Sequence, residues 1–337
     1  MSAALVPLEE RTVDEVLAGI GAYTLCANDP PWSALAPRVR PPARVVSARN
    51  MDAEHLATLL EGEPDTEVVV GLGGGSAMDT AKYIAWRTGK RLVQIPTITS
   101  VDAAFTDAIG VRVDRKVKYV GRIVPARVVL DVDLVRSAPK RLNRSGIGDV
   151  LSCHTGLHDW RLAVERGEGV PWDEDAASLG RRLLAELESA IADVRAVSAD
   201  GVRFLASAYR RIGAECARLR HSRFEEGSEH FLGYSYEHLT DAHPLHGELI
   251  AMCVVAMSEL QGNDPDWALD MVVKSGVAAH PADVGMTRAE FVASLRALSD
   301  YVRREGLDFS IVDVVAIDDA AIDRLWRTVD ALPRAPR

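Results

Sequence analysis

The spacing of hydrophobic positions along the chain changes once, near residue 138. Before that point, short apolar runs alternate with segments of helical character. Glu67–Val70, Leu92–Ile95 and Arg127–Leu130 are apolar without alternation, as strands covered on both faces of a parallel sheet must be. Ala43–Ser47 is a further candidate strand, followed by a helical stretch over Asp52–Leu60. Strands separated by helices predict a doubly wound α/β domain. After Ser137 the strand signal fades, and apolar residues recur at helical spacing through Ile147–Glu165, Asp175–Arg195, Gly201–Arg220, Gly247–Leu260, Trp267–Val273 and Arg288–Arg304. A short helix is expected near Ala320–Leu332, and the Pro-rich stretch Asn28–Pro42 reads as an irregular connection. The expected architecture is a Rossmann-like α/β domain over residues 1–138 followed by an all-helical domain over residues 139–337.

Composition narrows the function classes. The chain has 337 residues, 47% hydrophobic and 26% charged, enough for two ordinary globular domains. No apolar run approaches the ~20 residues that a membrane-spanning helix needs. No basic segment followed by an apolar stretch marks a secretory leader. Cys26, Cys153, Cys216 and Cys253 are scattered, with no metal-type pair, which suits a reducing cytoplasm. A net charge of −10 without any basic block argues against nucleic acid or an anionic membrane as partner. A small-molecule substrate is the remaining expectation, in a chain expected to form a homo-oligomer.

The most informative stretch runs Val68-Val69-Val70-Gly71-Leu72-Gly73-Gly74-Gly75-Ser76, from a strand through glycines into a helix. Glycines let backbone N–H groups approach a pyrophosphate, and a helix N-terminus adds partial positive charge. The bland alternative is a tight turn with no ligand, in which Asp79 and Lys82, three apart on the new helix, simply pair. The spacing is not that of the GxGxxG fingerprint.

GGGSAMDTAK resembles the GGGxxxDxAK signature of the iron-containing alcohol dehydrogenase superfamily. That superfamily also holds glycerol dehydrogenase, sn-glycerol-1-phosphate dehydrogenase and 3-dehydroquinate synthase. The resemblance implies NAD or NADP held by Gly73, Gly74, Gly75, Ser76 and Asp79. Pro96-Thr97-Ile98-Thr99-Ser100-Val101-Asp102-Ala103 is similar to the PTxxSxDA stretch of glycerol dehydrogenases. It implies Thr97 and Ser100 at the cofactor and Asp102 at the substrate hydroxyls.

In the same family, an Asp after a Ser-Gly turn and two later His bind one metal, which maps here onto Asp149, His230 and His246. One carboxylate and two imidazoles leave a coordination position open, as a catalytic Zn²⁺, Fe²⁺ or Ni²⁺ requires, with Zn²⁺ favoured. Cys153, four residues past Asp149, reads as a small buried residue, and His154 with His158 as a surface or interface pair. His243 and Tyr234 are candidates to move the proton. Taken singly, each of these residues has a structural alternative, such as helix-dipole compensation by Asp149.

Residues 147–163 resemble the sn-glycerol-1-phosphate dehydrogenase branch most, and the likeness spans roughly residues 65–260. Three features depart from it. The first βα unit is abbreviated through Tyr23–Pro42. Glu225 and Glu226 stand where that branch has small neutral residues. Tyr234 takes a position often held by His. The implied activity is metal-dependent, NAD(P)-linked oxidation or reduction of a small polyol or polyol phosphate. The alternatives are a dehydroquinate synthase-like cyclase with tightly bound NAD, or a degenerate nucleotide-binding member.

Overall fold

A computed structural model describes residues 5–335. The chain forms two compact units, one running to Asn143 and taking in Leu205–Arg220, the other comprising Arg144–Phe204 and the residues from His221 onward. The first contains β1 (Leu8–Glu10), α1 (Val13–Ala18), β2 (Tyr23–Ala27), α2 (Pro31–Leu35), β3 (Arg44–Ser47), α3 (Ala53–Thr58), β4 (Val68–Gly73) and α4 (Gly75–Thr88). It continues through β5 (Arg91–Pro96), β6 (Ala108–Val113), β7 (Lys116–Arg122), β8 (Arg127–Leu130), α5 (Val132–Ser137) and α6 (Lys140–Arg144).

Six of these strands form one parallel sheet in the order β1-β8-β5-β4-β2-β3. Alternate residues of each strand feed opposite faces. Val68, Val70 and Leu72 join Tyr23, Leu25, Val93 and Ile95 beneath α1, while Val69 joins Cys26 and Leu92 beneath Ala81, Ile84 and Ala85 of α4. Both faces are therefore covered, which is why these strands read as unbroken apolar runs.

Two parts of this unit differ from the sequence expectation. Tyr23–Ala27 is not part of a shortened connection but an inner strand, buried at every residue. Its crossover to β3 carries one five-residue helix, inside the stretch expected to be irregular. Residues 108–122 form a separate antiparallel hairpin, β6 with β7. Its turn places Asp114 and Arg115 at φ 49° and 63°, the paired positive values of a type I′ turn. Asp-Arg is not a usual pair for that turn, so the hairpin left little trace in the sequence.

The second unit is helical: α7 (Ile147–Glu165), α8 (Glu174–Ala196), α9 (Ala199–Leu219, which from Leu205 on belongs to the first unit), α10 (Ser228–Thr240), α11 (His246–Gln261), α12 (Pro265–Ser275), α13 (Pro281–Val284), α14 (Arg288–Glu305) and α15 (Asp319–Asp330). No strand occurs among its described residues. α7 and α11 pack together and are buried on nearly every face, so they form the core rather than its cover. α8 and α14 are amphipathic and surround that core. Asp173 caps the first by accepting from Ala176 N–H, and Thr287 with Glu290 forms a complete capping box on the second. No described helix is long and apolar enough to cross a membrane.

Candidate active site

The glycine loop lies at the point where the sheet reverses its winding. From β2 the chain moves outward to β3, and from β4 it moves the other way to β5. The crevice beyond the carboxyl ends of β2 and β4 is where open α/β sheets bind ligands. Gly73 ends β4 with φ 149°, and a Cβ there would meet Ala77 Cβ at 2.9 Å. At Gly74 and Gly75 a Cβ would fall 3.0 Å from Ile98 Cδ1 and 2.9 Å from Val101 Cγ2. The glycines thus serve the fold as well as any ligand, because residues 97–101 close over the loop. Thr97 N–H donates to Gly73 carbonyl at 2.9 Å, and Tyr209 of α9 holds the same segment by donating to Thr99 carbonyl at 3.0 Å.

α4 then starts with no side-chain cap, and while Ala77 N–H donates back to Gly74 carbonyl at 3.0 Å, the N–H groups of Gly75 and Ser76 before it can meet an anion. Asn28, at the end of β2, donates to Ser76 Oγ at 2.9 Å and was not singled out by sequence. Thr97 and Ser100 are buried beside the loop, and Asp102 is half-buried in the bend that follows. Asp79 pairs within its own helix. Lys82 Nζ lies 2.9 Å from its carboxylate and also donates to Ala108 carbonyl at 2.7 Å. Burial raises the Asp79 pKa against the opposing pull of Lys82 and the Gly110 N–H. This residue ties α4 to the hairpin, the pairing that its spacing from Lys82 allowed.

The second unit gathers Asp149, His230 and His246, the one such group of three found among the described residues, with ligand atoms all within 4.8 Å of one another. Each stands in the first turn of its own helix, α7, α10 and α11. The carboxylates of Asp149, Glu229 and Glu248 offset the positive ends of the three helix dipoles. A close backbone crossing brings two of the helices together: a Cβ on Gly148 would lie 2.5 Å from Gly247 carbonyl oxygen. The neighbours of those glycines are Asp149 and His246, whose Oδ1 and Nε2 are 3.5 Å apart. Tetrahedral zinc with N and O ligands separates them by about 3.4 Å.

Glu229 orients the third ligand. Its Oε1 lies 2.8 Å from His230 Nδ1 and accepts Gly227 N–H at 2.7 Å, which leaves His230 Nε2 as the nitrogen that could ligate an ion. Its Oε2 is buried with no hydrogen-bond partner. A donor set of one carboxylate and two imidazoles, backed by this orienting carboxylate, fits a divalent ion. Burial works against charge on His230, but the hydrogen bond to Glu229 and the charges of Glu229, Glu226 and Glu225 outweigh it and lift the pKa to about 10. The surroundings of this imidazole therefore call for positive charge.

Around the triad, Tyr234 sits one turn beyond His230 with ring centroids 5.9 Å apart, and its hydroxyl donates to Glu226 Oε1 at 2.6 Å. His243 is more than half exposed in the connection between α10 and α11, with Asp241 at 3.8 Å. Cys153 is fully buried, and burial followed by the charges of Glu225 and Glu229 pushes its thiol pKa well up, so it packs as a protonated side chain. His154 is half-buried, as is His158 one turn on. His154 Nε2 donates to Asn263 carbonyl at 2.7 Å and its ring packs against Trp267 at 4.8 Å.

Asp159 and Glu229 were not named as site residues from sequence, although Asp159 stands within the family-like stretch around Asp149 and Glu229 immediately precedes His230. Asp159 accepts Ser228 N–H at 2.7 Å and Ile311 N–H at 2.8 Å, fixing the start of α10. Burial first, then the charge of Glu229, raises its pKa to about 6 from 3.8. The folded protein thus holds a proton there, between about pH 4 and 6, that the unfolded chain lacks. The stability this contributes is complete below the unfolded value and is lost as pH rises through about 6. Relative to Asp159→Asn, the unsubstituted protein should gain on the order of 3 kcal/mol as pH falls from 7 to 4. Urea unfolding of both proteins across that range checks this, and parallel curves would refute it.

A parallel sheet with a glycine loop at its switch point, joined in one chain to an Asp/His/His cluster on helices, is what a metal-assisted dinucleotide oxidoreductase requires. Comparison with known proteins bears this out. A family model described as iron-containing alcohol dehydrogenase matches residues 33–139. The glycerol-1-phosphate dehydrogenase [NAD(P)+] of Sulfurisphaera tokodaii is 30% identical over 271 residues, covering 76% of this chain and 75% of that protein. That of Hyperthermus butylicus is 28% identical over 287 residues, covering 85% and 81%. Among solved structures, a probable glycerol dehydrogenase from Sinorhizobium meliloti superposes with a TM-score of 0.74 at 22% identity, covering 98% of this chain and 99% of that one. The glycerol dehydrogenase of Schizosaccharomyces pombe gives 0.74 at 19%, covering 98% and 90%. The chain belongs to the iron-containing alcohol dehydrogenase superfamily and is an NAD(P)-dependent dehydrogenase of that kind.

Proposed function

We propose that this chain moves a hydride between NAD(P)H, held on the Gly73–Gly75 loop, and the carbonyl of a small polyol or its phosphate, with Asp149, His230 and His246 holding one divalent ion. The observation that carries the reading is the gathering of those three side chains at ligand distance on three helix starts. The nature of the relatives, glycerol-1-phosphate dehydrogenases, supports the substrate class.

In the reductive direction a C–H bond forms at the carbonyl carbon, a proton is added at oxygen, and the dihydronicotinamide is oxidised. When bound, the ion supplies Lewis acidity at the reacting oxygen. The protein does the rest. Glu229 keeps His230 in one tautomer and one orientation. The uncapped start of α4 holds the pyrophosphate, with Ser76, Thr97 and Ser100 beside it. Asp102 orients substrate hydroxyls. Tyr234, bonded to Glu226, and His243, open to water, are the groups through which a proton passes to solvent. The residues up to 138 are read as the dinucleotide domain and the rest as the metal and substrate domain.

The test pairs metal analysis of the purified protein with a screen of polyols and polyol phosphates under NAD and NADP. About one divalent ion per chain, Zn²⁺ as first expectation, and net NAD(P)H formation that falls on chelation are the expected results. Substrate turnover with no net change in nicotinamide redox state would instead favour a cyclase that reoxidises its own cofactor.

A further inference from the structure

Resting on the dehydrogenase reading, we infer that Glu226 is a specificity-determining residue that selects an uncharged or amine-bearing polyol and turns away a phosphate ester. The turn Ser222–Glu226 precedes α10 and is held in place by Glu225 and Glu226 N–H groups donating to Ser222 carbonyl at 2.9 and 2.8 Å. Within it, the Glu226 carboxylate is gripped from both sides. Ser222 Oγ donates to Oε2, and Tyr234 hydroxyl donates to Oε1 at 2.6 Å.

Each hydroxyl donates to a different carboxylate oxygen, so the group is pinned at both ends. The Tyr234 ring lies beside His230, whose own ring is tilted against His246 at 5.3 Å between centroids. The carboxylate is thus fixed through one phenol to the ligand cluster rather than free to swing away. Glu225 is buried in the same turn. Arg223, the cation nearest in sequence, has two of its three guanidinium nitrogens engaged: its Nη2 donates to Phe309 carbonyl at 2.6 Å and its Nε faces Asp308 at 4.0 Å. A fixed, half-buried carboxylate beside the ligand cluster repels an anion more strongly than a water-exposed one would.

The test measures kcat/KM for oxidation of glycerol, 2-amino-1,3-propanediol and sn-glycerol-1-phosphate by the metal-loaded protein with NAD⁺ and NADP⁺. The expected result is that the phosphate ester is the poorest of the three by about tenfold or more. Glu226→Gln should narrow that gap by about tenfold, while Glu226→Asp, which keeps the charge, should preserve it. Preference for the phosphate ester, lost in Arg223→Gln through that side chain's unpartnered Nη1, would overturn the inference and leave the dehydrogenase reading standing. A gap unchanged in Glu226→Gln would also overturn it. Turnover of none of the three would bring down the dehydrogenase reading itself, and this inference with it.

Discussion

His246→Ala is expected to abolish metal retention and lower kcat/KM by on the order of 10³-fold or more, with the fold intact. His246 begins α11, and its imidazole is 35% exposed, so truncation leaves no cavity in the core. What it removes is one of three ligands, and with it the match between the cluster and a tetrahedral ion. Asp149→Asn should behave alike, since the carboxylate is the one anionic ligand of the set. Metal content, melting temperature and turnover measured on one preparation decide the matter. Full activity in metal-free His246→Ala would sink the proposed role of the triad.

Gly148→Ala should do comparable damage without touching a ligand. An added methyl would lie 2.5 Å from Gly247 carbonyl oxygen and 2.7 Å from Gly247 Cα. Both are backbone atoms, so no side chain can swing aside, and α7 and α11 must separate. Overpacking of this kind costs about 1–3 kcal/mol. Because Asp149 and His246 flank the crossing, the same separation opens the ligand set, and a displacement of ~1 Å can cost about 10²-fold in rate. Gly233→Ala is the control, because the nearest atoms to its added methyl belong to the side chains of Ile250 and Leu249, the closest at 3.2 Å. Equal metal affinity in Gly148→Ala and the unsubstituted protein would show that the crossing does not set the site.

How much of this was readable beforehand depended on what each residue does. The strands β4, β5 and β8 announced themselves, since burial on both faces demands unbroken apolar runs. Tyr23–Ala27 is equally buried, yet Thr24 and Cys26 and the prolines after it disguised it as part of a connection. The triad and the glycine loop were legible from motif alone, and the structure sets the triad within ligand reach. The helix that carries His230 was not legible from periodicity. α10 buries Ser228, Glu229, His230 and Ser235 along with its apolar residues, so polar side chains occupy inward positions and no apolar stripe appears. Function erased the pattern that would have revealed its own scaffold. The approach of Gly148 to Gly247, a contact between residues about a hundred positions apart, has no local signature at all.

The turn at Ser222–Glu226 is neither helix nor strand, whereas the three proposed metal ligands stand on helices. Reactivity and selectivity are therefore carried by elements of different mutability. On the proposed reading, a change in the turn alters which molecule is admitted and spares the ligand set, whereas a change in the crossing helices disturbs the ligand set itself. Descendants of such a chain can drift in diet without relearning their chemistry, one loop residue at a time.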